Sequence, residues 1–216
     1  MGSVVEFSAI NAKIKALMGK MMSENQYLEL LKCKDFKSSV KVLKEETSYN
    51  ELLENYKLEN IHRGNLEIIL HRNYINIYSK FINYFNGKYR KFIKALFVRW
   101  EIEDLKIIIR SKYLGLGFID IENKLIARSS LNTINYDYLL ASRNVEEVID
   151  GLKGSMYYKS LKNLGKDISE KGLFRIETEL DFVYFMTIRR ELKYLDAENK
   201  EVGDRIIGSE ADLLNL

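Results

Sequence analysis

Proline is absent from all 216 residues, where ordinary usage near 5% would place roughly ten. Proline breaks helix interiors and is at home in turns between strands, so a chain without it favours long helices. Cysteine is nearly absent as well. With Cys33 alone, no internal disulfide can form, and the chain suits a reducing compartment. No histidine or motif lies near enough to activate the thiol, so Cys33 reads as a small inert side chain. No apolar run approaches the ~18 residues that a membrane-spanning helix needs, so any membrane role is expected to be peripheral. The first residues show no charged-then-apolar signal pattern, and "MGSVVE" fails the myristoylation template because Glu6 stands where Ser or Thr is required. A net charge of +3 is too small to argue by itself for nucleic acid or an anionic membrane.

What is present points one way. Hydrophobic residues make up 46% and charged residues 30%, as in a globular protein with ample core for one large domain or two small ones. Helical periodicity runs through 5–22, with Val5, Phe7, Ile10, Ile14, Leu17, Met18 and Met21 on one stripe. "SENQ" (23–26) has the form of a capping box, so Ser23 is expected to open a second helix. Asp35 is expected to cap a third. A longer helical stretch spans about 66–84, its Tyr74, Tyr78, Phe81 and Phe85 recurring at intervals of four, three and four. Asn86-Gly87 interrupts it as a C-cap or kink. The pattern resumes through Tyr89, Phe92, Leu96, Trp100, Leu105 and Ile108 and stops at "YLGLGF"; another helix is expected over about 173–195. The fold class is all-α.

Residues 27–52, "YLELLKCKDFKSSVKVLKEETSYNEL", fall without a gap on 136–161, "YDYLLASRNVEEVIDGLKGSMYYKSL". Seven positions are identical, including Tyr27/Tyr136, Leu31/Leu140, Leu43/Leu152 and Leu52/Leu161, against roughly two expected from ordinary composition. Asp35 pairs with Asn144, so both copies keep a helix-capping residue. The preceding helices correspond loosely, Ile14, Leu17 and Met18 with Leu105, Ile108 and Ile109, leaving an insertion of about 18 residues in the second copy. Asp104, Leu105 and Ile108 recur as Asp212, Leu213 and Leu216. On this reading Gly208 and Ser209 form a turn and an N-cap, and 208–216 begin a third copy. Leu213, Leu214 and Leu216 would then lack partners within the chain and invite self-association through this end.

Residues that could carry chemistry read as structural. His62 and His71 have no cluster of further ligands, and a metal needs three or four. Glu101, Glu103 and Asp104 suggest acid/base work, but Arg99, Lys106 and Arg110 lie close in sequence, so solvated carboxylates or structural ion pairs are expected. "GLGF" (115–118) lacks the third glycine and the Lys-Ser/Thr of a phosphate loop and is expected to be a helix exit. Residues 88–112 interleave Lys88, Arg90, Lys91, Lys94, Arg99, Lys106, Arg110 and Lys112 with Tyr89, Phe92, Phe97 and Trp100. Helical spacing makes Tyr89, Phe92 and Leu96 a buried stripe, with Trp100 buried beside it and the bases on other faces. Such bases suit a solvated face, a docking surface for an acidic partner or, less well, single-stranded nucleic acid. No catalytic, cofactor-binding or metal-binding residue is assigned.

"NAKIKALMGKMMSENQYLELL", "RWEIEDLKIIIRSKYLG" (99–115) and "GSEADLLNL" together resemble the C subunit of the archaeal and bacterial V/A-type rotary ATPases, the counterpart of the d subunit of the vacuolar ATPase. The resemblance implies three helical repeats forming a funnel, of which this chain carries 1–98, 99–207 and the opening of a third at 208–216. It implies a non-catalytic socket without cofactors on the cytoplasmic face of the membrane. The expected partners are the membrane rotor ring and the D and F subunits of the central stalk, with no nucleic acid; the expected task is to pass on rotation for ion transport. The competing expectations are a helical nucleic-acid-binding or protein-interaction adaptor and an all-α enzyme.

Overall fold

Helix follows helix along the chain. The structure, a computed structural model, describes the backbone of residues 2–128, 133–166 and 169–214 and the side chains of 7–128, 133–166 and 169–212. Among these residues there are twelve α-helices, two 3-10 turns and no strand, so the all-α class is correct. The side chains of Val5, Leu213 and Leu214, and Leu216 entirely, lie outside the described residues, so the expected self-association through them gains no structural account. By packing, the chain divides into two units, residues 1–84 and 85–216. The repeat boundary expected between 98 and 99 falls inside a continuous helix.

In the first unit α1 (Gly2–Met18) is followed by α2 (Glu24–Lys32), α3 (Phe36–Glu46), α4 (Asn50–Leu53) and α5 (Arg63–Phe81), with 3-10 turns at Leu58–Asn60 and Ile82–Tyr84. Local chemistry sets these starts. Ser23 accepts the N–H of Gln26, whose side chain accepts the Ser23 N–H at 2.8 Å, closing the expected capping box. The Asp35 carboxylate accepts the Ser38 N–H at 2.8 Å and opens α3. The core of this unit gathers Val40, Leu53, Ile61, Leu66 and Ile69, with Phe36, Leu43 and Tyr49 half-buried against it. The aromatic series on α5 lies off this core. Tyr74 is exposed and stacks on Tyr78 at 6.0 Å, whereas Leu66 and Ile69 face inward.

The second unit holds α6 (Gly87–Tyr113), α7 (Phe118–Glu122), α8 (Tyr136–Ala141), α9 (Val145–Gly151), α10 (Tyr158–Leu161), α11 (Glu170–Leu192) and α12 (Ala197–Leu214). Asn86 sits at the N-cap of α6 rather than at a C-cap of the preceding helix. That earlier helix has already ended in a 3-10 turn. The "GLGF" exit is as expected. Gly115 takes φ +72°, Leu116 N–H reaches Ser111 O at 2.9 Å and Gly115 N–H reaches Lys112 O, the Schellman pattern that only glycine adopts without strain. α6 and α11 form the main helix pair. Ile176, Leu180, Tyr184, Ile188 and Leu192 recur every fourth residue along α11, all buried, with Ile102, Leu105, Ile108 and Ile109 of α6 in the same core.

The expected turn at Gly208-Ser209 is not there. α12 passes through both residues without a break. The Ser209 hydroxyl donates to the Arg205 carbonyl at 3.0 Å, one turn back, instead of capping a new helix. The cap of α12 lies well before them, where Asp196 accepts the Asn199 N–H at 3.1 Å. Segments 27–52 and 136–161 do correspond in backbone. Each runs helix, tight connection, helix, turn, short helix, with the two connections at matching positions. Asp35 and Asn144 have nearly the same backbone angles, φ −151° and −149°, and each accepts the N–H three residues on.

Candidate functional site

α6 crosses the second unit and carries the charged and aromatic residues singled out above. Its inner stripe is Ala95, Val98, Ile102, Leu105 and Ile109, all buried. Glu101 and Asp104, three apart and hence on one face of the helix, are carried inward beside this stripe. They are only 2% and 0% exposed. This corrects the expectation of solvated carboxylates.

Both oxygens of Asp104 are engaged. Oδ1 accepts the Ile126 N–H at 2.7 Å; Oδ2 accepts the Ala127 N–H at 2.9 Å and the Tyr136 hydroxyl at 3.2 Å. Glu101 Oε1 accepts the Tyr157 hydroxyl at 2.5 Å and the Thr133 hydroxyl. Burial raises both phenol pKa values well above the ordinary range, and the adjacent carboxylates raise them further, so both tyrosines remain donors. Two carboxylates one turn apart therefore fasten the connection after α7, the start of α8 and the turn before α10 to one helix. An acid or base needs a proton path to a substrate. These oxygens instead meet backbone amides and hydroxyls of their own unit.

The bases of α6 divide between inside and outside. Lys106 is buried, its ammonium 2.7 Å from Asp181 of α11 and 3.3 Å from Glu103. Arg110 makes a two-pronged contact to Glu177 of α11 at 2.5 and 2.6 Å, which holds the guanidinium pKa above its usual value. Arg99 pairs with Glu210 of α12, whose other oxygen accepts the Tyr184 hydroxyl at 2.7 Å. Lys112 donates to the Leu140 carbonyl at the end of α8 at 2.6 Å, and its partial burial lowers its pKa. Arg90, Lys91 and Lys94 alone among the eight are exposed and without an ion pair among the described residues. The basic run is thus chiefly a set of internal ties.

The aromatic stripe is shallower than expected. Tyr89, Phe92 and Leu96 are half-buried against the core, and Tyr89 donates to Asp196 at 2.6 Å. Trp100 is half-buried rather than core, with the Arg99 guanidinium 5.7 Å from its ring; Phe97 is the fully buried aromatic of this helix. His62 sits exposed at the N-cap of α5, and His71 is exposed within that helix. Among the described residues no group of His, Cys, Asp and Glu could hold a metal. Cys33 ends α2, its thiol 3.4 Å from the Glu29 carbonyl. At the matching position Ser142 donates to the Tyr138 carbonyl at 3.0 Å. Thr133, Tyr157, Asp181, Glu177 and Glu210 carried no sequence signal that marked them as partners of α6.

Among the described residues no helix is long and apolar enough to cross a membrane. The model of the ATP synthase (C/AC39) subunit family matches residues 10–216. The C subunit of the A-type ATP synthase of Methanococcoides burtonii is 24% identical over 223 residues, covering all of this chain and 58% of the relative. That of Methanosarcina acetivorans is 24% identical over 204 residues, 94% of this chain and 55% of the relative. That of Methanocaldococcus jannaschii is 22% identical over 211 residues, 97% of this chain and 52% of the relative. The chain thus spans just over half the length of these relatives. With the match running across both units, the chain belongs to the ATP synthase (C/AC39) subunit family.

Proposed function

We propose that this chain acts, without bond chemistry of its own, in coupling within a V/A-type rotary ATPase or ATP synthase. In this reading it links the D and F subunits of the central stalk to the membrane rotor ring, on the cytoplasmic face, and passes rotation between ATP turnover and ion transport. Part of the same reading is a helical repeat present as 1–98 and 99–207 and begun again at 208–216. The observation that carries the reading is the family match over 10–216. The ties on α6 support it. A rotor connector must resist twisting, and Glu101, Asp104, Lys106 and Arg110 bind α6 to several neighbouring segments.

The test removes the chain from cells that make it and assays the two halves of the activity. ATP hydrolysis by the detached head should persist, while ATP-driven ion transport in membrane vesicles should be lost and should return when the chain is restored. Ion transport that survives removal overturns the reading, as does loss of hydrolysis in the isolated head and stalk.

A further inference from the structure

The first unit contains a cleft of about 500 Å³ between the end of α1, the turn into α4 and the second half of α5. Volumes of roughly 300–1,000 Å³ suit small organic ligands. Three lysines line it, Lys13, Lys20 and Lys80, against one acid, Glu51. Among the described residues none of the three ammonium groups is in an ion pair or hydrogen bond. The Asn73 amide and the Tyr49 hydroxyl, also on the lining, have no partner among them either. In the second unit the bases divide, Lys106, Arg110 and Arg128 pairing with carboxylates while Arg90, Lys91 and Lys94 are exposed without an ion pair among the described residues. Three lysines of one sign border this one cleft, and their summed field favours an anion there.

Apart from Ser48, whose hydroxyl donates to the Lys20 carbonyl at 2.7 Å, the rest of the lining is apolar. Leu17, Leu52 and Ile77 are half-buried around the same space. We propose that this cleft binds a soluble phosphate ester with an apolar or aromatic body. The phosphates meet Lys13, Lys20 and Lys80, Asn73 and Tyr49 supply neutral hydrogen bonds, and the body lies on the aliphatic side chains. Three lysines against one glutamate leave a net charge of two to neutralise, which matches a polyphosphate better than a monocarboxylate.

Calorimetric titration of the chain at low salt tests this with two probes, adenosine triphosphate and inorganic tripolyphosphate. Saturable binding of one molecule per chain is expected, tighter for the nucleotide because only it offers a ring to the aliphatic side. Lys13→Glu and Lys80→Glu should each weaken it by about tenfold, the scale of one lost charge-assisted contact. Lys153→Glu, at a lysine paired with Asp150 in the second unit, should leave it unchanged. All three cleft lysines are exposed, and Lys20→Gln gives a second reading should charge reversal disturb folding. Absence of saturable binding at millimolar probe overturns the proposal, as does equal weakening by Lys153→Glu. Equal affinity for the two probes removes the apolar-bodied ligand. Sedimentation with phosphatidylglycerol vesicles without binding of either soluble probe assigns the lysines to a lipid surface and overturns it as well.

Discussion

Segments 27–52 and 136–161 share a backbone pattern and several side chains, yet they bury different amounts of themselves. Tyr136 is 7% exposed and Leu140 0%, whereas their counterparts Tyr27 and Leu31 are 55% and 82% exposed. The difference traces to the helix that precedes each copy. α6 offers Leu105, Ile108 and Ile109 to the core of its unit, and beside them the carboxylates of Glu101 and Asp104. At the corresponding positions of α1 stand Ile14, Leu17 and Met18, two of them exposed, with Ile10 and Lys13 where the carboxylates would be. Caps and turns, being local, repeat in both copies. Burial depends on the covering helix, so one copy is locked and the other presents its apolar residues.

The largest effect is expected from breaking the lock itself. Asp104→Ala leaves the Ile126 and Ala127 amides and the Tyr136 hydroxyl without their acceptor in a buried place. It should cost about 3–5 kcal/mol, since each stranded donor costs on the order of 1–3. Urea unfolding measures it, and a loss below about 1 kcal/mol would show that the carboxylate is dispensable.

Next comes the direct exchange between copies. Leu140→Ala should cost about 2–5 kcal/mol through a cavity among buried neighbours, and Leu31→Ala should stay within about 0.5 kcal/mol at an exposed site. Similar costs at the two positions would break the comparison.

The buried tyrosines give the lock a signature in alkali. The folded state holds the Tyr136 and Tyr157 phenols protonated above their ordinary range. Above about pH 10 the unfolded chain alone gives up these protons, so stability falls as pH rises, by about 1.4 kcal/mol per pH unit for each tyrosine. Tyr157→Phe should reduce that slope, whatever it does to stability at neutral pH. Unfolding curves across this range supply the slope, and an unchanged one would disconnect Tyr157 from the effect.

A smaller effect sharpens the match at Gly151, whose counterpart in the first copy is Val42. A Cβ at 151 would lie 2.5 Å from the Tyr138 ring and 2.9 Å from Leu139 Cδ2. The first copy has Glu29 in place of Tyr138. Gly151→Val should therefore cost about 1–2 kcal/mol, overpacking outweighing the gain in helix propensity. Tyr138→Glu in the same chain should recover part of it. Additive costs in a double-mutant cycle would show that the ring is not the obstacle.

These positions mark what was legible in the sequence. The capping box at Ser23, the caps at Asp35 and Asn144 and the Schellman exit at Gly115 were readable because each is settled within a few residues. The all-α class followed from helical periodicity and the lack of proline, and the 27–52/136–161 correspondence from seven ungapped identities and matching caps. Gly208-Ser209 misled because a glycine and a serine resemble a helix boundary. Inside a continuing helix that glycine costs about 1 kcal/mol, and the serine hydroxyl is satisfied by Arg205. Burial of Glu101 was unreadable because its donor Tyr157 lies 56 positions away. Helical spacing sets Trp100 beside the Tyr89–Phe92–Leu96 stripe, but that stripe is itself only half-buried; Phe97 turns inward and the indole lies beside Arg99.

The smallest expected effect separates two caps that look alike. Asp35 and Asn144 each accept the amide three residues on, but only Asp35 carries a charge, and its hydrogen bonds from Ser38 hold its pKa below the usual carboxylate value. A depressed folded pKa means that the cap contributes above the unfolded value of about 3.9 and fades as pH falls through the folded one. The Asn144 cap has no proton to gain. The Ser38 amide, capped by Asp35, should therefore lose protection from hydrogen exchange on acidification, after correction for intrinsic exchange. The Glu147 amide, capped by Asn144, should hold its protection over the same range. Asp35→Asn should leave neutral-pH stability unchanged, since Asn and Asp rank together as N-caps, and should make protection at Ser38 as insensitive to acid as at Glu147. A Ser38 amide that still loses protection in acid after Asp35→Asn would place the sensitivity elsewhere in the first unit.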